Sequence, residues 1–104
     1  MKSAALDLGP HYITVNALVP GLIATDMTIN DTRLTEAHRD YQPASPPTPE
    51  QTAKIRAEHT PFRLPWLQPD DMAPMAVFLA TEGAARISGA SFDVDAGDSV
   101  LFTA

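Results

Sequence analysis

Ile13-Thr14-Val15-Asn16-Ala17-Leu18-Val19-Pro20-Gly21-Leu22-Ile23-Ala24-Thr25 is the stretch on which the fold turns. From Ile13 to Val19 it is nearly continuous in aliphatic and β-branched residues, which predicts a strand at 13–19 covered on both faces, as in parallel sheets. Asn16 is its one strongly polar member. A buried amide must find partners, so Asn16 is expected to tie the strand to a neighbouring loop. Pro20-Gly21 then ends the strand at its carboxyl side, where open parallel sheets bind their ligands.

Working outward, residues 1–8 place Ala4, Ala5 and Leu8 at helical spacing, and Gly9-Pro10 is a stop signal. This segment reads as the end of a helix. Residues 26–65 lose periodicity and collect Pro43, Pro46, Pro47, Pro49, Pro61 and Pro65, the pattern of an insertion that closes over a binding site. Inside that lid, Thr48-Pro49-Glu50-Gln51 predicts a helix start with a capping box, running to about His59.

Gln68-Pro69-Asp70-Asp71 is a second start signal, because carboxylates in a first turn favour the positive end of the helix dipole. The helix expected over 69–81 carries Met72, Met75, Ala76 and Leu79 on one face, with Val77, Phe78 and Ala80 widening it, so it is expected to be largely buried. Pro74 is tolerated there only within the first turn. Gly83 marks the exit. Phe92 and Val94 then alternate with polar neighbours in a strand expected at 90–95, ended by Ala96-Gly97. Two strands joined by a helical crossover pair in parallel. The resulting fold class is α/β, with 104 residues sufficient for one domain.

Composition removes several function classes. Seven Lys and Arg against thirteen Asp and Glu give a formal charge of -6 with no basic block, which disfavours nucleic acid and anionic membrane surfaces. There are no cysteines, so disulfides, thiolate metal sites and cysteine nucleophiles are all excluded. No apolar run has the length of a membrane span, and Asp7 and Gly9-Pro10 interrupt the N-terminal one too early for a signal peptide. A soluble, cytoplasmic protein is the expectation. His11, His38 and His59 have no second histidine at ligand spacing, so no metal site is assigned. Ser88 and Ser91 lack a nucleophile elbow. Asp70 and Asp71 read as helix-start charges, Met72 and Met75 as core, and Trp66 as a packing anchor at the base of the lid.

Pro20-Gly21-Leu22-Ile23-Ala24-Thr25 resembles the Pro-Gly-x-x-x-Thr element of short-chain dehydrogenases/reductases. The same family is resembled, in the same order along the chain, by Leu6-Asp7-Leu8-Gly9-Pro10-His11, Gln68-Pro69-Asp70-Asp71-Met72-Ala73, Val77-Phe78-Leu79-Ala80, Ser88-Gly89-Ala90 and Val94-Asp95-Ala96-Gly97. The last departs from the family's more usual Gly-Gly pair. The resemblance implies the C-terminal part of a Rossmann-type doubly wound parallel sheet, with residues 20–25 as a cofactor loop for NAD or NADP. It assigns cofactor contacts to Pro20, Gly21, the backbone of Ile23 and the side chain of Thr25. The chemistry agrees, since glycine admits backbone close to a flat ring and a hydroxyl both donates to and accepts from an amide.

The rest of the family's machinery has no counterpart here. The five glycines form no Gly-rich phosphate loop, neither Tyr12 nor Tyr41 has a lysine four residues on, and the supporting serine is missing, so no catalytic residue is assigned. The resemblance therefore implies part of an NAD(P)-dependent oxidoreductase that, complete, moves a hydride between a nicotinamide and a carbonyl or alcohol, with the 104-residue chain expected to be inactive alone. It also implies a homo-oligomer. The competing expectation is a non-catalytic remnant, or an interaction protein that docks onto a full-length relative.

Overall fold

A computed structural model of the chain describes residues 1–37 and 47–102; the expectations resting on His38, Tyr41, Pro43 and Pro46 fall outside them. Where the length predicts one domain, the chain divides into two compact units, Met1–Pro20 with Asp70–Val94 and Gly21–Pro69 with Asp95–Ala104.

The first unit opens with helix α1, Lys2–Leu8. Gly9-Pro10 does not stop it in the expected way, because Gly9 stays right-handed at φ -54° and the chain tightens into a 3-10 turn, Gly9–His11. The left-handed exit falls instead on Tyr12, at φ 59°. Its N–H reaches Gly9 O at 2.9 Å, and that of Ile13 reaches Leu8 O at 3.3 Å.

Strand β1, Ala17–Pro20, pairs in parallel with β2, Ser91–Val94, in the register Ala17↔Ser91 to Pro20↔Val94. Both are shorter than the 13–19 and 90–95 read from the sequence. The reason lies in Val15 and Asn16, whose polar groups are bonded to a turn rather than to a strand. Val15 N–H donates to Ser88 Oγ at 3.1 Å, and Val15 O accepts from Gly89 N–H at 2.8 Å. Asn16 makes the tie expected of it: Nδ2 donates to Ile87 O at 2.8 Å, and Oδ1 accepts from Ala90 N–H at 3.2 Å. Gly89 turns the chain at φ +78°, a conformation that other residues adopt only under strain.

The helix expected over 69–81 is broken into a 3-10 turn, Pro69–Asp71, and a seven-residue α4, Ala73–Leu79. Pro74 sits in its first turn, where no helical N–H is lost. The exit comes before Gly83. Thr81 Oγ donates to Phe78 O at 2.6 Å and competes for the last carbonyls. Expected burial of this helix is also overturned: Met72, Met75 and Leu79 are half-buried, but Val77 and Phe78 are 63% and 43% exposed. A helix apolar all round needs cover on more than one side, and among the described residues of this unit only one side has it. Ala84, at 1% exposure, is the unit's buried hydrophobic residue.

The second unit contains α2, Asp31–Ala37, and α3, Pro49–His59. At α3 the capping box is complete, with Gln51 N–H donating to Thr48 Oγ1 at 3.2 Å and Thr48 N–H to Gln51 Oε1 at 2.9 Å. Helix α2 has no counterpart in the sequence reading, although Asn30-Asp31 marks its start: Asn30 Oδ1 accepts from Arg33 N–H at 3.0 Å. The core of this unit is Leu34, Leu67, Thr52 and Thr60. Its buried hydroxyls are satisfied locally, Thr52 Oγ1 to Thr48 O at 3.2 Å and Thr60 Oγ1 to Leu64 O at 2.7 Å. Residues 98–102, which the sequence leaves without structure, form a 3-10 turn, Asp98–Phe102.

Candidate functional site

Of the four residues assigned to the cofactor, Pro20 is the last of β1 in the first unit; Gly21, Ile23 and Thr25 belong to the second. Within the second unit their geometry follows from one contact. Ile23 forms an isolated parallel bridge with Leu67, in which Leu67 N–H donates to Leu22 O and Ala24 N–H donates to Leu67 O, both at 2.8 Å. Extended backbone alternates the direction of its polar groups. The N–H and C=O of Ile23 therefore face away from Leu67, and among the described residues neither takes a partner.

Gly21 is required by a close approach. A Cβ on it would stand 2.8 Å from both Cα and Cβ of Asp95, a separation that no side chain at this position could tolerate. Asp95 is itself fixed, since Oδ1 accepts from Gly97 N–H at 2.9 Å and Oδ2 from Ser99 N–H at 2.8 Å. Hydrogen bonds from the Ser99 hydroxyl, then from the Ser99 and Gly97 amides, hold its carboxyl below the ordinary 3.8. The turn needs left-handed backbone at Ala96, φ 55°, and at Gly97, φ 87°. Here the departure from Gly-Gly acquires a physical meaning, because alanine takes up a conformation that suits glycine.

Thr25 anchors the next turn through its carbonyl, which accepts from Thr28 N–H at 2.9 Å and Ile29 N–H at 2.8 Å. Its side chain is exposed, and its hydroxyl has no partner among the described residues. The loop thus presents one amide donor and one hydroxyl two residues apart, held by Leu67 on one side and by the Thr25 turn beyond. That donor set fits the carboxamide of a nicotinamide, whose oxygen accepts and whose nitrogen donates.

A cavity of about 460 Å³ opens in the same unit, and Leu22 of this loop forms part of its wall. Trp66, read from the sequence as a packing anchor, is half-buried and lines the cavity together with residues of α2 and α3. The sequence offered no means of finding this space, since its wall combines Leu22 of the 20–25 loop with helix α2, which periodicity did not reveal. His59 Nδ1 lies 2.8 Å from Ile55 O, and no cluster with metal-ligand composition occurs among the described residues. No helix among them is long and apolar enough to cross a membrane.

Residues 1–99 match the family described as enoyl-(acyl carrier protein) reductase. The chain is 33% identical over 101 residues to (-)-trans-carveol dehydrogenase of Rhodococcus erythropolis, a match covering 96% of this chain and 35% of that protein. L-rhamnose 1-dehydrogenase (NAD(P)(+)) of Azotobacter vinelandii is 37% identical over 97 residues, 93% of this chain and 32% of its own length. The crystal structure of carveol dehydrogenase from Mycobacterium avium in complex with NAD matches with a TM-score of 0.85 at 32% identity, over 96% of this chain and 35% of that one. The chain spans about a third of the length of the curated relatives it matches. With nearly its whole length matched by one family, and with an α/β fold that pairs its strands in parallel, the chain belongs to the short-chain dehydrogenases/reductases.

Proposed function

We propose that Pro20, Gly21, Ile23 and Thr25 form the nicotinamide side of an NAD(P)-dependent oxidoreductase, and that the chain corresponds to the C-terminal third of that enzyme. The single observation that carries this reading is the free amide of Ile23 beside the free hydroxyl of Thr25, on a loop clamped by Leu67. Ile23 N–H donates to the carboxamide oxygen, and Thr25 Oγ1 accepts from the carboxamide nitrogen. A nicotinamide brings the hydride chemistry for carbonyl and alcohol interconversion. The chain's own part is to orient that ring. Residues 26–65 close over the substrate, and the whole works in the cytoplasm.

The chain carries no Tyr-x-x-x-Lys and no Gly-rich phosphate loop, so it holds the nicotinamide weakly and turns nothing over by itself. A second reading is favoured by the sheet: among the described residues its two strands each leave one edge unpaired, where a homo-oligomeric partner or a full-length relative docks.

Titration of the ¹⁵N-labelled chain with NAD, and separately with NADP, tests the first reading. Shifts are expected at Ile23 and Thr25, without saturation at micromolar cofactor. Thr25→Val is expected to weaken those shifts about fivefold, the worth of roughly one hydrogen bond. Perturbation confined to other residues overturns the assignment of the loop, and micromolar saturation overturns the claim that the chain is incomplete.

A further inference from the structure

We propose that Arg56 is the positioning residue of the cofactor loop: by donating to Pro65 and to Asp98 at once, it holds together the two backbone segments on which residues 21–24 rest. This role rests on the reading of residues 20–25 as the nicotinamide loop and deepens it.

The loop has two supports, and both lie elsewhere in the chain. On one side Leu67 N–H donates to Leu22 O and Ala24 N–H donates to Leu67 O, both at 2.8 Å. On the other, Gly21 lies so close to Asp95 that a Cβ on it would stand 2.8 Å from the Asp95 Cα and Cβ. The first support belongs to the segment 65–67. The second belongs to the turn 95–99, which the Asp95 carboxylate closes by accepting from the Gly97 and Ser99 amides.

Arg56 reaches both segments. Its Nε donates to Pro65 O at 2.6 Å and its Nη2 to Asp98 Oδ2 at 3.2 Å, the Arg56 and Asp98 side chains being 26% and 27% exposed. Proline has no N–H, so its carbonyl is the one hydrogen-bonding group through which Pro65 can be held. The carbonyl before it, Leu64 O, accepts from the buried Thr60 hydroxyl at 2.7 Å. Asp98 stands between the two residues whose amides Asp95 holds, so a bond to it fixes the turn behind Gly21. A guanidinium is planar and its donors keep fixed directions, so one side chain sets the spacing of its two acceptors.

Helix α3 has no need of this side chain for its own order. Its start is closed by the Thr48–Gln51 capping box, and at its end Thr60 N–H donates to Arg56 O at 3.0 Å. The two bonds of the guanidinium run instead to residues 9 and 42 positions away along the chain. Their effect falls on the Ile23 amide, whose direction is set by the Leu67 clamp. A displacement of about 1 Å there is enough to misplace a donor against its ligand.

The test is amide hydrogen exchange of the ¹⁵N-labelled 104-residue chain without cofactor. Arg56→Gln is expected to lower protection of the two clamp amides, Ala24 and Leu67, about tenfold, while Leu34 N–H, bonded to Asn30 O, and Thr52 N–H, bonded to Thr48 O, change by less than about twofold. Asp98→Asn keeps the Nε bond to Pro65 and removes the charge, and is expected to lower the clamp amides about threefold; Asp98→Glu, which keeps a carboxylate for Nη2, is expected to restore them to within about twofold. With NAD, the Arg56→Gln chain is expected to need about tenfold more cofactor for the same shift at Ile23.

Equal loss at all four amides makes Arg56 a general stabiliser of the unit and overturns the proposal. Unchanged protection at Ala24 and Leu67 overturns it as well. If Arg56→Gln does not fold, Asp98→Asn decides the matter at the same four amides. The exchange is read without cofactor, so failure of NAD to shift Ile23 in the unaltered chain counts against the nicotinamide reading, whereas the clamp amides alone decide whether Arg56 positions the loop.

Discussion

Both units leave large apolar side chains in water, Met27 and Phe62 of the second at 78% and 68% exposure, but they differ in what they bury. In the first, the sheet and α4 carry the apolar residues, yet Leu6, Tyr12, Val77 and Phe78 stand largely in water and Ala84 is the buried hydrophobic residue. In the second, proline-rich and poorly periodic, Leu34 and Leu67 are buried together with Thr52 and Thr60, and the threonines' hydroxyls are satisfied. Parallel strands and all-round apolar helices gain stability only as layers accumulate on both faces. A segment that bonds its buried hydroxyls to its own backbone can be fixed locally. The parts of a doubly wound fold that look most structural in sequence therefore lean most on neighbours, whereas the segment around Thr52 and Thr60 draws support from its own turns.

The sharpest way to break this comparison is a pair of truncations. Leu34→Ala, at 4% exposure, is expected to destabilise the second unit by about 2–4 kcal/mol in urea denaturation followed by Trp66 emission. Val77→Ser, at a position 63% exposed, is expected to change stability by no more than about 0.5 kcal/mol. A cost at Val77 equal to that at Leu34 means the α4 face is covered in solution, and the contrast between the units fails.

A smaller effect is expected at Ala96. Left-handed backbone costs alanine about 1–2 kcal/mol, and Ala96→Gly relieves this while giving back about 0.4–1 kcal/mol through a freer unfolded chain. The net is a rise in the urea midpoint worth up to about 1.6 kcal/mol. A fall in the midpoint shows that the Asp95–Gly97 turn is not strained.

The smallest effect is one of pH. Asp95 has its folded pKa lowered by the Ser99 hydroxyl and by the Ser99 and Gly97 amides. Its contribution is therefore present above the ordinary carboxylate value and is lost as pH falls through the lowered one. The carboxyl ¹³C shift of Asp95 should report a group more than half ionised at pH 3.8, and Asp95→Asn should remove the corresponding acid-side decline in stability. Titration at or above 3.8 overturns the assignment.

The sequence was most legible where one residue type has one job. The capping box at Thr48, the proline in the first turn of α4 and the amide of Asn16 are each local statements about hydrogen bonds, and the structure bears them out. It was least legible where the outcome depends on distant cover. Apolar spacing in α4 indicated burial, but burial is a property of neighbours. The strand at 13–19 shortened because Ser88 and Ile87, more than seventy residues away, bring a turn rather than a strand to its first half. The loop at 20–25 was recognisable as a motif, yet the free amide at Ile23 depends on Leu67, which nothing in the motif announces. Helix α2 was missed because Asn30-Asp31 lies among residues whose periodicity is weak.

The register Ala17↔Ser91 also sets an order of events during synthesis. Strand β1 leaves the ribosome complete while its partner is 74 residues from being made, from 91 minus 17. At about 5–20 residues per second that interval is roughly 4–15 s. Closing so long a loop costs about 4 kcal/mol of chain entropy before the ladder returns anything. Throughout that time Leu18 and Val19 lack the β2 residues, Phe92 and Asp93, that pair with them in the finished sheet. The side chain of Asn16, immediately before that strand, will later lock to Ile87 and Ala90, and as a strongly polar group it bounds the apolar run until the partner arrives.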